Sequence, residues 1–287
     1  MVAEVRSWDV AVERGLIDLR EPFRDVQLEL LDLLRRLPRE GWSAPTVLPD
    51  WDVHSVALHL LGGDIGRLSG AWSGSRAGSE VDIGQLTARI ESSNEEWVRA
   101  VHRIPPPLLV DLLRVTADRV TGLYAEADLW APATPVAWTG TGPSPLWLDV
   151  AREYTERWIH QAQIREAVDA PLLEDRRWVW PVLDVLMLCL PRAYEGVEAP
   201  HGTLVVVELG GEAGGTWCLV RGDERWHLST GVVDSAAARL SLSTDDAWRW
   251  LARLLPSPSL ENAVKTDGDP ALWQPALRAV AVMTTAS

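Results

Sequence analysis

Leu30, Leu31, Leu33, Leu34 and Leu37 recur at helix-compatible spacing among arginines and aspartates. The pattern predicts a helix over residues 8–37, ended by Pro38 and Gly41. Residues 42–51 read as a loop, and Asp50 or Asp52 is placed to cap a second helix over 53–69. A Ser/Gly-rich break follows at 70–78, then a helix over 83–103. Pro105, Pro106 and Pro107 interrupt the pattern and supply a first-turn proline for a helix reaching residue 128. Residues 129–145 carry Pro132, Pro135, Pro143 and Pro145 with Gly140 and Gly142, a long loop of the kind that often serves function. A further helix runs from 145 or 146 to about 168. Four or five helices in this stretch are enough for a bundle.

The texture then changes. A helix over 180–190 has Pro181 in its first turn and Pro191 just past its end. Short β-type runs follow at 203–209, 216–220, 225–229 and 239–243, divided by Gly210-Gly211, Gly214-Gly215 and Gly222-Asp223. Helices over 245–255 and 270–282 close the chain. The expected fold class is α+β, with a helical domain over 1–172 and a small α+β domain over 173–287. No internal repeat, GxGxxG motif or Walker loop is present.

Composition narrows the function classes. At 47% hydrophobic residues the 287-residue chain can build a core without disulfide staples. A net charge of −14, with no cluster of Lys or Arg, argues against nucleic acid and against anionic membranes as partners. No run of 18 apolar residues predicts a membrane span, and the N-terminus has no signal-peptide pattern. Cys189 and Cys218 form no CxxC pair, which fits a reducing, cytoplasmic setting; Cys189 lies in an apolar run and reads as core. Sixteen tryptophans against three tyrosines and one phenylalanine fit GC-rich codon usage, although Trp130 and Trp138 are also placed to line a pocket.

Candidate chemistry begins with Glu156 and His160. An i,i+4 pair lies about 40° apart on the helical wheel, so both side chains share a face, a spacing suited to two ligands of one ion. On the same wheel Asp149, Arg152, Glu153, Glu156, His160 and Gln163 form one polar stripe with apolar residues on both flanks. Such a stripe is either a narrow solvent face or the lining of a cavity in a helix buried on both sides. A third ligand has two candidates, His54 and His59. About 140° apart, they cannot both face one site, and the apolar arc of their helix does not choose between them. Gly62, Gly63 and Gly66 fall near the face of His59 and leave room there, which favours it.

Two stretches resemble a known family. Leu48-Pro-Asp-Trp-Asp-Val-His-Ser-Val-Ala-Leu-His-Leu60 is similar to the W-x-V-x-D-V-V-A-H-L signature of mycothiol-dependent maleylpyruvate isomerases. Glu156-Arg-Trp-Ile-His160-Gln-Ala-Gln-Ile-Arg165 resembles their second motif, E-x-x-x-H-x-x-x-I-R. Residues 240–253 and 266–269 resemble their sterol-carrier-like C-terminal domain. Ser55 stands where an Asp is usual, and Ala252-Arg253 where the family often has Gly-Arg.

The resemblance implies a DinB-like four-helix bundle, metal ligands at His59, Glu156 and His160, zinc or another divalent ion, and mycothiol as the thiol cofactor. It makes Arg253 the expected substrate contact. Two His and one carboxylate with an open position is the pattern of a catalytic zinc. The implied partners are a small thiol and a small electrophile. The implied reaction is cis–trans isomerisation of an unsaturated acid by reversible thiolate addition, or S-transfer if the adduct is kept. A metal-dependent hydrolase and a non-catalytic binding protein of the same fold are the competing readings.

Overall fold

The computed structural model describes residues 13–73, 83–140 and 143–281. Its helical part comprises α1 (Arg20–Arg36), α2 (Val53–Ser73), α3 (Ile83–Val101), α4 (Pro106–Ala125) and α5 (Leu146–Ala167). A two-stranded ribbon, β1 (Pro132–Ala133) with β2 (Ser144–Pro145), closes the loop ahead of α5. The second half continues with α6 (Arg176–Leu186), a 3-10 turn at Met187–Cys189 and α7 (Leu190–Ala193). The strands β3 (Leu204–Gly210), β4 (Gly215–Arg221), β5 (Trp226–Thr230), β6 (Ala238–Ser243) and β7 (Lys265–Gly268) form one sheet, ordered β5-β4-β3-β6-β7. Strands β3 and β6 run parallel and the other neighbours antiparallel. Helices α8 (Thr244–Leu251), α9 (Ser257–Ala263) and α10 (Pro270–Leu277) complete a mixed α+β fold. No helix among the described residues is long and apolar enough to cross a membrane.

Helix α5 organises the molecule. Its 22 residues contain neither Gly nor Pro, and 17 of them are buried. It starts directly after Pro145, and Asp169 at φ 52° with Pro171 beyond prevents its continuation. Two apolar clusters meet along it. One packs Leu30, Leu34, Leu58, Leu61, Leu109 and Leu113 against Ile164. The other runs from Phe23 and Tyr154 through Leu183 and Leu186 to Val205, Val207 and Leu240, continuous from the bundle into the sheet. Trp158 on α5 meets Trp248 on α8 edge to face at 5.4 Å. Cys189 lies in this core, where burial pushes its thiol pKa up, as it does for Cys218.

Several boundaries differ from the pattern. The first helix does not run unbroken from residue 8: positions 8–12 lie outside the described residues, Gly15 leaves the helix at φ 80°, and Pro22 occupies the first turn of α1. Asp52, not Asp50, caps α2, its Oδ1 accepting from the Ser55 amide at 2.8 Å. Helix α2 continues to Ser73, past the expected stop at 69; most of the predicted break lies outside the described residues. Helix α6 begins at Arg176, so Pro181 is interior, and Pro191 opens α7 instead of following a helix end. Trp138 is core, whereas Trp130 is partly exposed against Trp147 at 6.4 Å.

Candidate metal centre

Helices α2 and α5 bring His59, Glu156 and His160 together. Glu156 Oε1 lies 3.0 Å from Nε2 of each histidine, and one donor atom from each residue falls within 4.8 Å of the others. The two imidazole rings stand 4.7 Å apart at 70°. Among the described residues this is a group of three that could hold a metal ion. His54 faces elsewhere: its Nε2 meets the Ile104 carbonyl at 2.9 Å, and its ring packs against Trp42 and His102.

The polar stripe of α5 is not a solvent face, since Asp149, Glu153, His160 and Gln163 are all buried. Depth varies along the group. The His160 side chain is 2% exposed, while His59 is 12% and Glu156 15% exposed, so the group is closed at His160 and open at the other two. Trp51 flanks the opening with its ring 5.2 Å from that of His59.

Gln163, one turn beyond His160, accepts from His160 Nδ1 at 2.7 Å. This contact fixes the orientation of the ring, with Nε2 turned towards Glu156. Burial pushes the Glu156 carboxyl up, but His160, with hydrogen bonds from His160 and His59, outweighs it and holds the pKa well below the usual range. Burial lowers the pKa of His59 against the opposing hydrogen bond to Glu156, which favours the neutral ring. Two imidazole nitrogens and one carboxylate oxygen within 4.8 Å of one another are a donor set that fits a divalent cation. A tetrahedral zinc with bonds near 2.0–2.1 Å sets its ligands roughly 3.3 Å apart, close to the 3.0 Å contacts here.

A second charged group adjoins the first. Arg67 on α2 reaches Asp149 at 2.5 Å and Glu153 at 2.6 Å. Arg152 reaches the same two carboxylates at 3.1 and 2.6 Å. Burial raises the Asp149 pKa, but Arg67 and Arg152 together outweigh it and bring the group down to about 2. The Tyr124 hydroxyl is buried beside this quartet and has no hydrogen-bond partner among the described residues. Arg67 is not among the candidates that the sequence patterns single out. The available signal was an α5 stripe with two carboxylates on the face shared with Glu156, and an arginine two turns after His59. Arg253 is exposed just past α8 at φ 60°, its amide donates to the Trp250 carbonyl at 3.0 Å, and among the described residues it makes no hydrogen bond to the centre.

The glycines after His59 have two different jobs. A Cβ on Gly62 would sit 2.6 Å from Trp97 Nε1, so Gly62 permits the close approach of α3, where Trp97 donates to the Leu58 carbonyl at 2.8 Å. Among the described residues, a Cβ on Gly63 or Gly66 would meet nothing within 4 Å. These two leave an open face on α2 between His59 and Arg67.

Fold and centre together define a mixed α+β protein whose helical bundle presents a His–Glu–His group at a partly open edge. Residues 23–165 match the family model of the mycothiol maleylpyruvate isomerase N-terminal domain, and this part of the chain belongs to that domain family. A solved histidine-to-alanine mutant of the mycothiol-dependent maleylpyruvate isomerase is similar over 86% of this chain and 91% of that chain, at 14% identity and a TM-score of 0.51. A second structure of that isomerase aligns over the same shares at 13% identity and a TM-score of 0.48. At such identity the first likeness speaks to the fold. No curated protein matches the chain in sequence.

Proposed function

We propose that His59, Glu156 and His160 hold zinc or a similar divalent ion, and that the protein is an enzyme acting with mycothiol on a small unsaturated electrophile. The observation that carries this reading is the convergence of Nε2, Oε1 and Nε2 at one partly open edge. A bound cation supplies the Lewis acidity that keeps a coordinated thiol ionised near neutral pH. The thiol supplies a nucleophile for reversible addition to an electron-poor double bond, giving isomerisation when it leaves and S-transfer when it stays.

The chain's own residues prepare the site. Gln163 fixes the orientation of the His160 ring. Glu156 stays ionised because both histidines donate to it or surround it. Trp51 sets its ring 5.2 Å from that of His59, and the apolar flanks of α5 are buried. The open face beside Gly63 and Gly66 admits the ligands.

The test is metal analysis of the wild type beside His59→Ala, Glu156→Ala and His160→Ala, with turnover measured with and without added thiol. One equivalent of metal in the wild type and little in each variant is expected, with activity that needs the thiol. Equal metal content in all four proteins would sink the ligand assignment. Activity without thiol would favour the hydrolase reading.

A further inference from the structure

We propose that Arg152 binds the carboxylate of an unsaturated acid presented to the His59–Glu156–His160 centre. This rests on reading that centre as the place of reaction. Arg152 precedes Glu156 by four residues on α5, so it stands one turn away, roughly 6 Å along the axis, on the same stripe. Its Nε and Nη2 are engaged by Asp149 and Glu153. Its Nη1 has no protein acceptor among the described residues, and the side chain is 27% exposed. The guanidinium is therefore clamped along one edge and offers N–H donors along the other, the arrangement that suits recognition of a carboxylate.

Arg67 makes that offer effective. Alone, Asp149 and Glu153 would neutralise Arg152 and repel an incoming anion. With Arg67 bound to both acids, two guanidinia face two carboxylates, and the quartet carries no excess negative charge. Space is available as well. From His59 to Arg67 α2 advances about 12 Å, and the intervening Gly63 and Gly66 face open space. A short acid reacting beside Glu156 can extend its carboxylate along this face to Arg152.

The experiment is calorimetric titration of maleate into metal-free and zinc-loaded protein, for wild type, Arg152→Gln, Arg152→Lys and Arg253→Gln. Zinc titrations and thermal unfolding are run on each. Loss of a charge-assisted hydrogen bond predicts roughly 10- to 100-fold weaker maleate binding in Arg152→Gln. Zinc affinity is expected to stay within about threefold, since Asp149 and Glu153 keep Arg67. Arg152→Lys retains part of the maleate affinity, which a purely structural role would not predict. The proposal is overturned if Arg152→Gln binds maleate as the wild type does, if the wild type binds no maleate in either metal state, or if the loss appears in Arg253→Gln instead. Failure of the wild type to take up zinc refutes the metal centre separately, while the metal-free titration still decides the role of Arg152.

Discussion

Replacing Asp64 by alanine isolates the bond that sets α2 against α5. Asp64 follows His59 by five residues on α2, and Arg157 follows Glu156 directly on α5. Arg157 Nη2 donates to Asp64 Oδ1 at 2.5 Å, and the Thr116 hydroxyl donates to Oδ2 at 2.7 Å. Both side chains of the ion pair are essentially out of solvent, at 0% and 2% exposure. Arg157 Nε and Nη1 already have no acceptor among the described residues, and the guanidinium lies over the Phe23 ring at 5.6 Å. Removing the carboxylate leaves a buried cation with no counter-charge, which costs about 3–5 kcal/mol, a large share of the ~5–15 kcal/mol that holds a domain together. Replacing both members, as in Asp64→Leu with Arg157→Met, removes the charge as well as its partner and is expected to recover most of the loss. Urea unfolding of the wild type, both single variants and the double variant measures the cycle. A loss below about 1 kcal/mol in Asp64→Ala, or a double variant less stable than either single, would show that this pair is not the buried strut described here.

Two further outcomes follow from the same helices. Gly63→Ala and Gly66→Ala are each expected to stabilise the protein by about 0.5–1 kcal/mol through helix propensity. Gly62→Ala must displace Trp97 and is expected to cost about 1–3 kcal/mol, so thermal melts that move all three variants the same way would contradict the packing. Asp149 has a folded pKa of about 2 against an ordinary 3.8, so its stabilising contribution is complete above about pH 4 and is lost as pH falls towards 2. Asp149→Asn should therefore lose stability less steeply than the wild type over that window, and parallel losses in urea unfolding at pH 4 and pH 2.5 would refute it.

The helices were legible wherever one face is apolar and a Pro or Gly marks the end. Helix α5 was placed to within a residue because Pro145 opens it and no breaker follows until Asp169 and Pro171. Whether its stripe faced solvent was not legible, because a wheel gives directions around one helix and not what lies opposite. The answer came from α1, α2 and α6 packing around it. Strand β7 escaped notice as a strand because its four residues are polar and exposed, and it exists by pairing with β6. Pro181 was misleading because a proline in a first turn and one in a helix interior look alike in sequence. The convergence of His59 with Glu156 and His160 followed the family resemblance; helix periodicity left His54 open. Arg67 was missed because its partners sit 82 and 86 residues away.

The uneven depth of the three donor residues has a kinetic consequence. His160 is a fixed inner post, whereas His59 and Glu156 stand at the doorway. An ion seated there can leave by releasing the two outer donors without any opening of the core. Its residence time is then set by side-chain motion at the rim and by competing ligands in solution, and the global unfolding rate of the protein does not limit it. A chelator would strip such a centre from an intact fold, and the same doorway would let one divalent ion replace another in proportion to its supply.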